Sequence, residues 1–187
     1  MPIKPGDYFC VSAPDDAEFL SKFLAHGIRL FTAMGSKDGE AKYSHAGIIL
    51  DEEGNTFEAL TTYKVGNLNN YVGSPIIIGR HFDMTDEIAD AASEKIMVKF
   101  AGKMYPFIRL GLFLIPLAAK FLHFAKPVCS ELCFLHMKHS NLRRNIHGDE
   151  IIDFYWSITP DYMADFMKNS NIFNIVYEGV WEGNKNP

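Results

Sequence analysis

The sequence is short of cysteine and of positive charge, and each shortage excludes a class of protein. The three cysteines, Cys10, Cys129 and Cys133, are an odd number in a chain of 187 residues. An odd, small number argues against a disulfide framework and favours reduced thiols. The net charge of −5 supplies no basic surface for phosphates, so nucleic acid is not an expected partner.

Long apolar runs are also missing. The most apolar segment, 106–125, is interrupted by Arg109, Pro116, Lys120 and His123. Its uninterrupted part, "LGLFLIPLAA", falls well short of the ~20 residues that a spanning helix needs. The N-terminus meets acidic residues before any apolar stretch of signal-peptide length, so we expect no cleavable signal. Together with free thiols, this favours a cytoplasmic location and leaves export by another route open.

The composition that is present is that of an ordinary globular protein, with 48% hydrophobic and 22% charged residues. A chain of this length predicts one domain spanning residues 1–187. Alternating and helical periodicities predict an α+β fold with a largely antiparallel sheet. Strands are expected at 6–12, 44–51, 55–60, 76–79 and 171–181, and helices at 15–35, 85–102, 158–166 and from about Cys129. Thr85 and Thr159 are the expected caps of two of these helices.

A histidine opens the apolar run "SHAGIIL", and an acid lies on the next predicted strand. The intervening "DEEGN" carries a Gly-Asn pair that is typical of a hairpin, so the two strands should be antiparallel neighbours. That pairing brings His45 and Glu58 close together, provided that the register does not slip by one residue.

Cys129 is predicted to lie at the start of a helix, because Pro127 disfavours an earlier start and "SELCFLHMKH" contains good helix formers. The positive end of the helix dipole and the unpaired first-turn amides favour a thiolate and could hold an oxyanion. Such a nucleophile needs a base, and His45 oriented by Glu58 would supply one. A lone cysteine or histidine is more often structural, which is how we interpret Cys10 and Cys133.

A metal site is the chemical alternative. Cys129, Cys133 and His136 follow at spacings of four and three on one helical face, with His139 one turn further. Zinc clusters usually take a second ligand pair from another segment, whereas one helix cannot close a tetrahedron. We therefore favour the nucleophile and expect neither metal nor cofactor.

Five motifs in the order "GDYFCVS", "YSHAGIIL", "NTFEAL", "VCSELC" and "ITPDYM" resemble those of permuted papain-like cysteine hydrolases. These include the NlpC-type peptidases, the lecithin:retinol acyltransferase group and, most similar, the YiiX-like proteins. In the permuted branch a strand-borne histidine precedes the cysteine-bearing helix, which is the order here. The resemblance covers about residues 5–166.

The resemblance implies a permuted papain-like fold, a mainly antiparallel sheet packed on the helix that carries Cys129. Cys129 would be the nucleophile, His45 the general base and Glu58 the orienting residue, while Tyr8 and Tyr105 would line the substrate site. The implied activity is that of an amidase or peptidase on a peptide or small amide, including a cell-wall-type peptide.

Two alternatives stay open. The first is a lipid acyl hydrolase or acyltransferase that contacts a membrane surface through 106–125, although a buried core segment explains that stretch better. The second is a non-catalytic domain that binds peptides, in which Cys129 would be unreactive.

Overall fold

Six strands and three helices make up the part of the chain that the computed structural model describes, which is residues 2–12, 42–104, 127–142 and 159–183. The strands are β1 Tyr8–Val11, β2 His45–Ile49, β3 Asn55–Ala59, β4 Tyr63–Asn67, β5 Pro75–His81 and β6 Phe173–Val180. The helices are α1 Asp86–Phe100, α2 Cys129–His139 and α3 Pro160–Asn169, and a 3-10 helix covers Leu68–Tyr71.

The strands form one sheet in the order β4-β3-β2-β1-β5-β6, and every neighbouring pair is antiparallel. The predicted α+β class and antiparallel sheet are therefore confirmed. The strand expected near the end of the chain is β6, and it lies at the sheet's edge, as the sequence indicated.

The hairpin between β2 and β3 forms where the Gly-Asn pair predicted it. Gly54 adopts a positive φ of 80°, a conformation that glycine reaches without steric cost. The Asp51 carboxylate accepts a hydrogen bond from the Asn55 amide at 2.9 Å and closes the turn. The resulting register sets Gly47 opposite Glu58, so His45, Gly47 and Glu58 project from the same face of the sheet.

Helix boundaries follow the predicted caps. The Thr85 hydroxyl accepts a hydrogen bond from the Ile88 amide at 3.3 Å, and the Thr159 hydroxyl accepts one from the Tyr162 amide at 3.1 Å. Each cap satisfies an amide that has no partner inside the helix. The predicted helix start at Cys129 is also confirmed.

Apolar side chains pack on both faces of the sheet. The helices cover one face, where alternate residues of β1 and β2 belong to the same apolar cluster as Leu132 and Met137 of α2. The opposite face carries a second apolar cluster: Ile3, Phe9, Val11, Ile49, Leu68, Tyr71, Ile76, Ile78 and Trp181. Because strand side chains alternate, Tyr8 and Cys10 face the helices whereas Phe9 and Val11 face the second cluster.

The sequence did not predict β4 or the 3-10 helix. β4 reads "YKVGN", a mixture of charge, glycine and amide that has no clear alternation, and its pairing with β3 stabilises it. The predicted helix at 15–35 and the apolar stretch 106–125 lie outside the described residues. Among the helices of the described ranges, none is long and apolar enough to cross a membrane.

Candidate active site

His45 is the first residue of β2, and its imidazole contacts the carboxylate of Glu58. The distance from His45 Nε2 to Glu58 Oε2 is 2.7 Å. The predicted proximity of these two residues is therefore confirmed, and so is the register on which it depended.

The Glu58 carboxylate is held by two further side chains. The Tyr71 hydroxyl donates a hydrogen bond to Oε2, and the Thr56 hydroxyl donates one to Oε1. Gly66 on β4 leaves the necessary room, because a Cβ there would stand 2.5 Å from Oε1. A buried carboxylate is costly unless its oxygens are paired, and here both are paired.

Cys129 is the first residue of α2, directly after Val128 at the N-cap. Val128 has no side-chain oxygen, so the N-cap supplies no side-chain acceptor for the first-turn amides. Its own amide instead donates to the Glu131 carboxylate at 2.9 Å. The helix N-terminus thus presents a positive dipole end beside the thiol.

Two contacts fix α2 against the sheet. The Cys133 thiol donates to the Gly47 carbonyl of β2 at 3.5 Å. The Tyr63 hydroxyl donates to the Pro127 carbonyl at 2.5 Å and so ties β4 to the segment that leads into α2. Between these anchors the Cys129 thiol lies close enough to His45 to be among the groups that raise the pKa of its imidazole. Since Glu58 engages Nε2, Nδ1 is the ring nitrogen left for the thiol.

The electrostatics of the site favour a protonated His45. Burial has the largest single effect and lowers the pKa of His45, but the interactions with Cys129 and Glu58 outweigh it and raise the pKa to about 10. Burial likewise raises the pKa of Glu58, while its bonds to His45, Thr56 and Tyr71 bring it below the ordinary value. The pair is therefore an imidazolium and a carboxylate near neutral pH.

The structure thus brings together the three residues that the sequence assigned to catalysis. Cys129, His45 and Glu58 are 3%, 7% and 1% exposed, so their mutual interactions are screened little by water. A cysteine sulfur, a histidine ring and a carboxylate in this spatial order can share one proton between sulfur and nitrogen, and the carboxylate stabilises the ring when it is protonated. Their catalytic roles stay predictions.

Tyr8 and Tyr105 are the two residues that were predicted to line a substrate site. Tyr8 is fully buried on the helix-covered face, and its hydroxyl contacts His136 Nδ1 at 2.8 Å. The contacts of its hydroxyl therefore point to a role in the core. Tyr105 lies outside the described residues.

Thr56 and Tyr71 were not anticipated from the sequence. Thr56 could have been found, because it lies two residues before Glu58 and alternation places both on one face of β3. Tyr71 carries no comparable signal, since it reaches Glu58 from the 3-10 helix that follows β4.

The residues of the alternative metal site do not converge. Both ring nitrogens of His136 are engaged, Nδ1 with Tyr8 and Nε2 with Ser93 at 3.1 Å. Cys133 turns its thiol to a backbone carbonyl. In the ranges that the structure describes, no group of three or more His, Cys, Asp or Glu side chains is placed to hold a metal ion.

The fold and site define an α+β protein with a six-stranded antiparallel sheet, in which a strand-borne histidine meets a cysteine at a helix start. The same fold is seen in the crystal structure of the metalloprotein YiiX from Escherichia coli O157:H7, with a TM-score of 0.59 and 12% sequence identity. The alignment covers 96% of this chain and 99% of that chain. The chain therefore has a YiiX-like fold. No family model and no curated protein sequence matches it.

YiiX is described as a metalloprotein, and the side chains of this chain can be tested for the same property. Two of the candidate ligands of α2, Cys133 and His136, are bonded to other groups, and the described residues offer no set of three donors. They do not fit a bound metal ion, so we derive no chemical step from one.

Proposed function

We propose that this protein is a thiol hydrolase of the permuted papain-like type that cleaves an amide bond, such as one in a cell-wall-type peptide. One observation carries the proposal: the Glu58 carboxylate holds the His45 imidazole at 2.7 Å, and Cys129, the first residue of a helix of 11 residues, is among the groups that raise the pKa of that imidazole. The order of the motifs along the chain and the YiiX-like fold support the same class.

In the proposed reaction His45 holds the proton that the Cys129 thiol gives up. The sulfur attacks the carbonyl carbon, and the carbonyl π electrons move to oxygen to form a tetrahedral intermediate. His45 then donates its proton to the leaving amine as the C–N bond breaks, which leaves a thioester on Cys129. Water that is deprotonated by His45 attacks the thioester carbonyl carbon, the C–S bond then breaks, and the carboxylic acid product leaves. The sulfur of Cys129 and the proton on His45 are thereby restored to the resting state.

The oxyanion would lie at the start of α2, where the Cys129 backbone amide is its donor, together with a second donor. One such donor typically lowers the barrier by about 3 kcal/mol. The positive end of the helix dipole acts in the same direction. Glu58 keeps the ring orientation that lets Nδ1 serve both the sulfur and the leaving group.

The test is to identify the reactive residue with a peptide vinyl sulfone, an electrophile that mimics an amide substrate. Mass spectrometry should find the label on Cys129 and not on Cys133, which is buried on the same helix and bonded to the sheet. Cys129→Ala should abolish labelling and the hydrolysis of fluorogenic peptide amides, whereas Cys133→Ala should retain both. Labelling that persists in Cys129→Ala would refute the nucleophile. A Cys129 that does not react at neutral pH would favour the non-catalytic binding domain instead.

A further inference from the structure

We propose that Thr56 and Tyr71 are positioning residues, whose hydroxyls aim the Glu58 carboxylate at His45 and keep it ionised. The inference rests on the proposed function for its catalytic meaning. Its geometric basis is independent of that function, because it concerns only how one buried carboxylate is held.

Tyr71 acts on the same oxygen that contacts the imidazole. Its hydroxyl donates to Glu58 Oε2, the atom that also lies 2.7 Å from His45 Nε2. The tyrosine ring packs at 6.0 Å from the His45 ring and at 5.7 Å from the Phe9 ring, measured between centroids. Because its ring packs against both of these neighbours, the hydroxyl is oriented before any substrate arrives.

Thr56 acts on the other oxygen. Its hydroxyl donates to Glu58 Oε1, and its side chain is fully buried on the same face of β3. On the far side Gly66 leaves space for Oε1 and for little else, as a Cβ there would be 2.5 Å from that atom and 3.0 Å from Thr56 Oγ1. The carboxylate is therefore clamped at both oxygens.

This clamp opposes the effect of burial. Burial raises the pKa of Glu58, and the bonds from His45, Thr56 and Tyr71 bring it below its ordinary value of 4.5. Other titratable groups near the carboxylate include the Cys133 thiol on α2 and the exposed Lys64 of β4, which pairs with Glu58 across the sheet, while the Cys129 thiol acts on His45. Loss of either hydroxyl should thus raise the pKa of Glu58.

The experiment is to measure the ionisation of Glu58 in Tyr71→Phe and Thr56→Val, which remove one hydroxyl each at nearly constant shape. Carbon-13 NMR of protein labelled at the glutamate carboxyl carbons reports the titration, and the signal that disappears in Glu58→Gln identifies the residue. Each variant should move the midpoint upward by roughly one pH unit, a tenfold change in the ionisation constant. The acid limb of kcat/KM should move by the same amount.

Two control variants and the shape of the pH profile separate a positioning role from a general loss of structure. Thr56→Ser keeps a hydroxyl and should keep the wild-type midpoint. Tyr177→Phe removes an exposed hydroxyl that donates to the Val180 carbonyl and not to Glu58, and it should change neither the Glu58 midpoint nor the acid limb. A purely structural role would lower activity at all pH values and leave the acid limb in place.

The outcomes also distinguish this inference from the proposed function. An unchanged Glu58 midpoint in both Tyr71→Phe and Thr56→Val overturns the positioning roles, whether or not the protein is a hydrolase. A raised midpoint supports them even if Cys129 does not react with the vinyl sulfone, a result that would refute only the hydrolase.

Discussion

At the scale of single residues, the charge of His45 is the property on which the site depends. Burial alone would lower the pKa of a histidine in this position and leave the ring neutral, since desolvation disfavours the charged form. The carboxylate of Glu58 at 2.7 Å and the interaction with Cys129 reverse that tendency. The imidazolium is therefore a consequence of its neighbours and should be lost when a neighbour is neutralised.

Glu58→Gln should lower the pKa of His45. The substitution keeps the size and an acceptor oxygen but removes the negative charge, so the titration of the His45 ring should move from near pH 10 to about two pH units lower. Proton NMR of the ring follows this directly. The alkaline limb of kcat/KM should move the same way, and turnover at neutral pH should fall by about two to four orders of magnitude.

Glu178→Gln is the matched control for this prediction. Glu178 also forms ion pairs, with Lys42 and Lys168, but these lie at the surface and are worth little. The His45 titration should be unchanged in this variant. If Glu58→Gln also left the ring titrating near pH 10, the ion pair would not be the cause of the raised pKa.

At the scale of elements, His136 fixes α2 between the sheet and α1. Its Nδ1 contacts the Tyr8 hydroxyl of β1 at 2.8 Å, and its Nε2 contacts the Ser93 hydroxyl of α1 at 3.1 Å. Burial is the main reason that the pKa of His136 falls to about 4, so the ring is neutral at pH 7. A neutral ring accepts from Tyr8 at Nδ1 and donates from Nε2, which satisfies both nitrogens.

His136→Ala should destabilise the fold by about 2 to 4 kcal/mol, because it leaves a cavity and an unpaired Tyr8 hydroxyl. Urea unfolding measures the loss. His139→Ala, on the same helix and partly exposed, should change stability by about 0.5 kcal/mol or less. Equal effects of the two substitutions would mean that His136 does not link the three elements.

The sequence revealed the elements whose ends are marked by adjacent residues and missed those that depend on pairing. Capping and turn residues identified the helices capped by Thr85 and Thr159 and the hairpin at Gly54, since caps and turns depend on adjacent residues. It did not identify β4, whose "YKVGN" forms a strand only through its pairing with β3.

The residues of the site were likewise predictable only where a local signal, such as the start of an element or a hairpin turn, marks them. Cys129 and His45 were recognisable because each begins an element, and hairpin register then placed Glu58. The roles of Tyr8, Tyr71 and His136 depend on contacts between elements that no hairpin signal joins: the 3-10 helix with β3, β1 with α2, and α1 with α2. Tyr8 was accordingly assigned to a substrate site, whereas its hydroxyl contacts His136.

At the scale of the whole molecule, the His45–Glu58 pair makes stability depend on pH. The pKa of His45 is 6.5 in an unfolded chain and about 10 in the fold, so its contribution is complete below about pH 6.5 and is lost as pH rises toward 10. The pKa of Glu58 is lowered from 4.5, so its contribution is present above about pH 4.5 and is lost as pH falls below that value. Together they stabilise the fold most between about pH 4.5 and 6.5.

The corresponding measurement compares the wild-type chain with the double variant His45→Gln, Glu58→Gln. The difference in unfolding free energy should be largest near pH 5.5 and smaller by a few kcal/mol at pH 9.5, because the unfolded imidazole has released its proton there while the native one retains it. The buried Asp7–Arg80 ion pair, at 2.7 Å, is present in both proteins and cancels in the difference. Urea unfolding of both proteins at pH 5.5, 7.5 and 9.5 measures how this difference in free energy changes with pH. A difference that stays constant across this range would show that the imidazole binds its proton equally in both states, and the charge assigned to His45 would then be wrong.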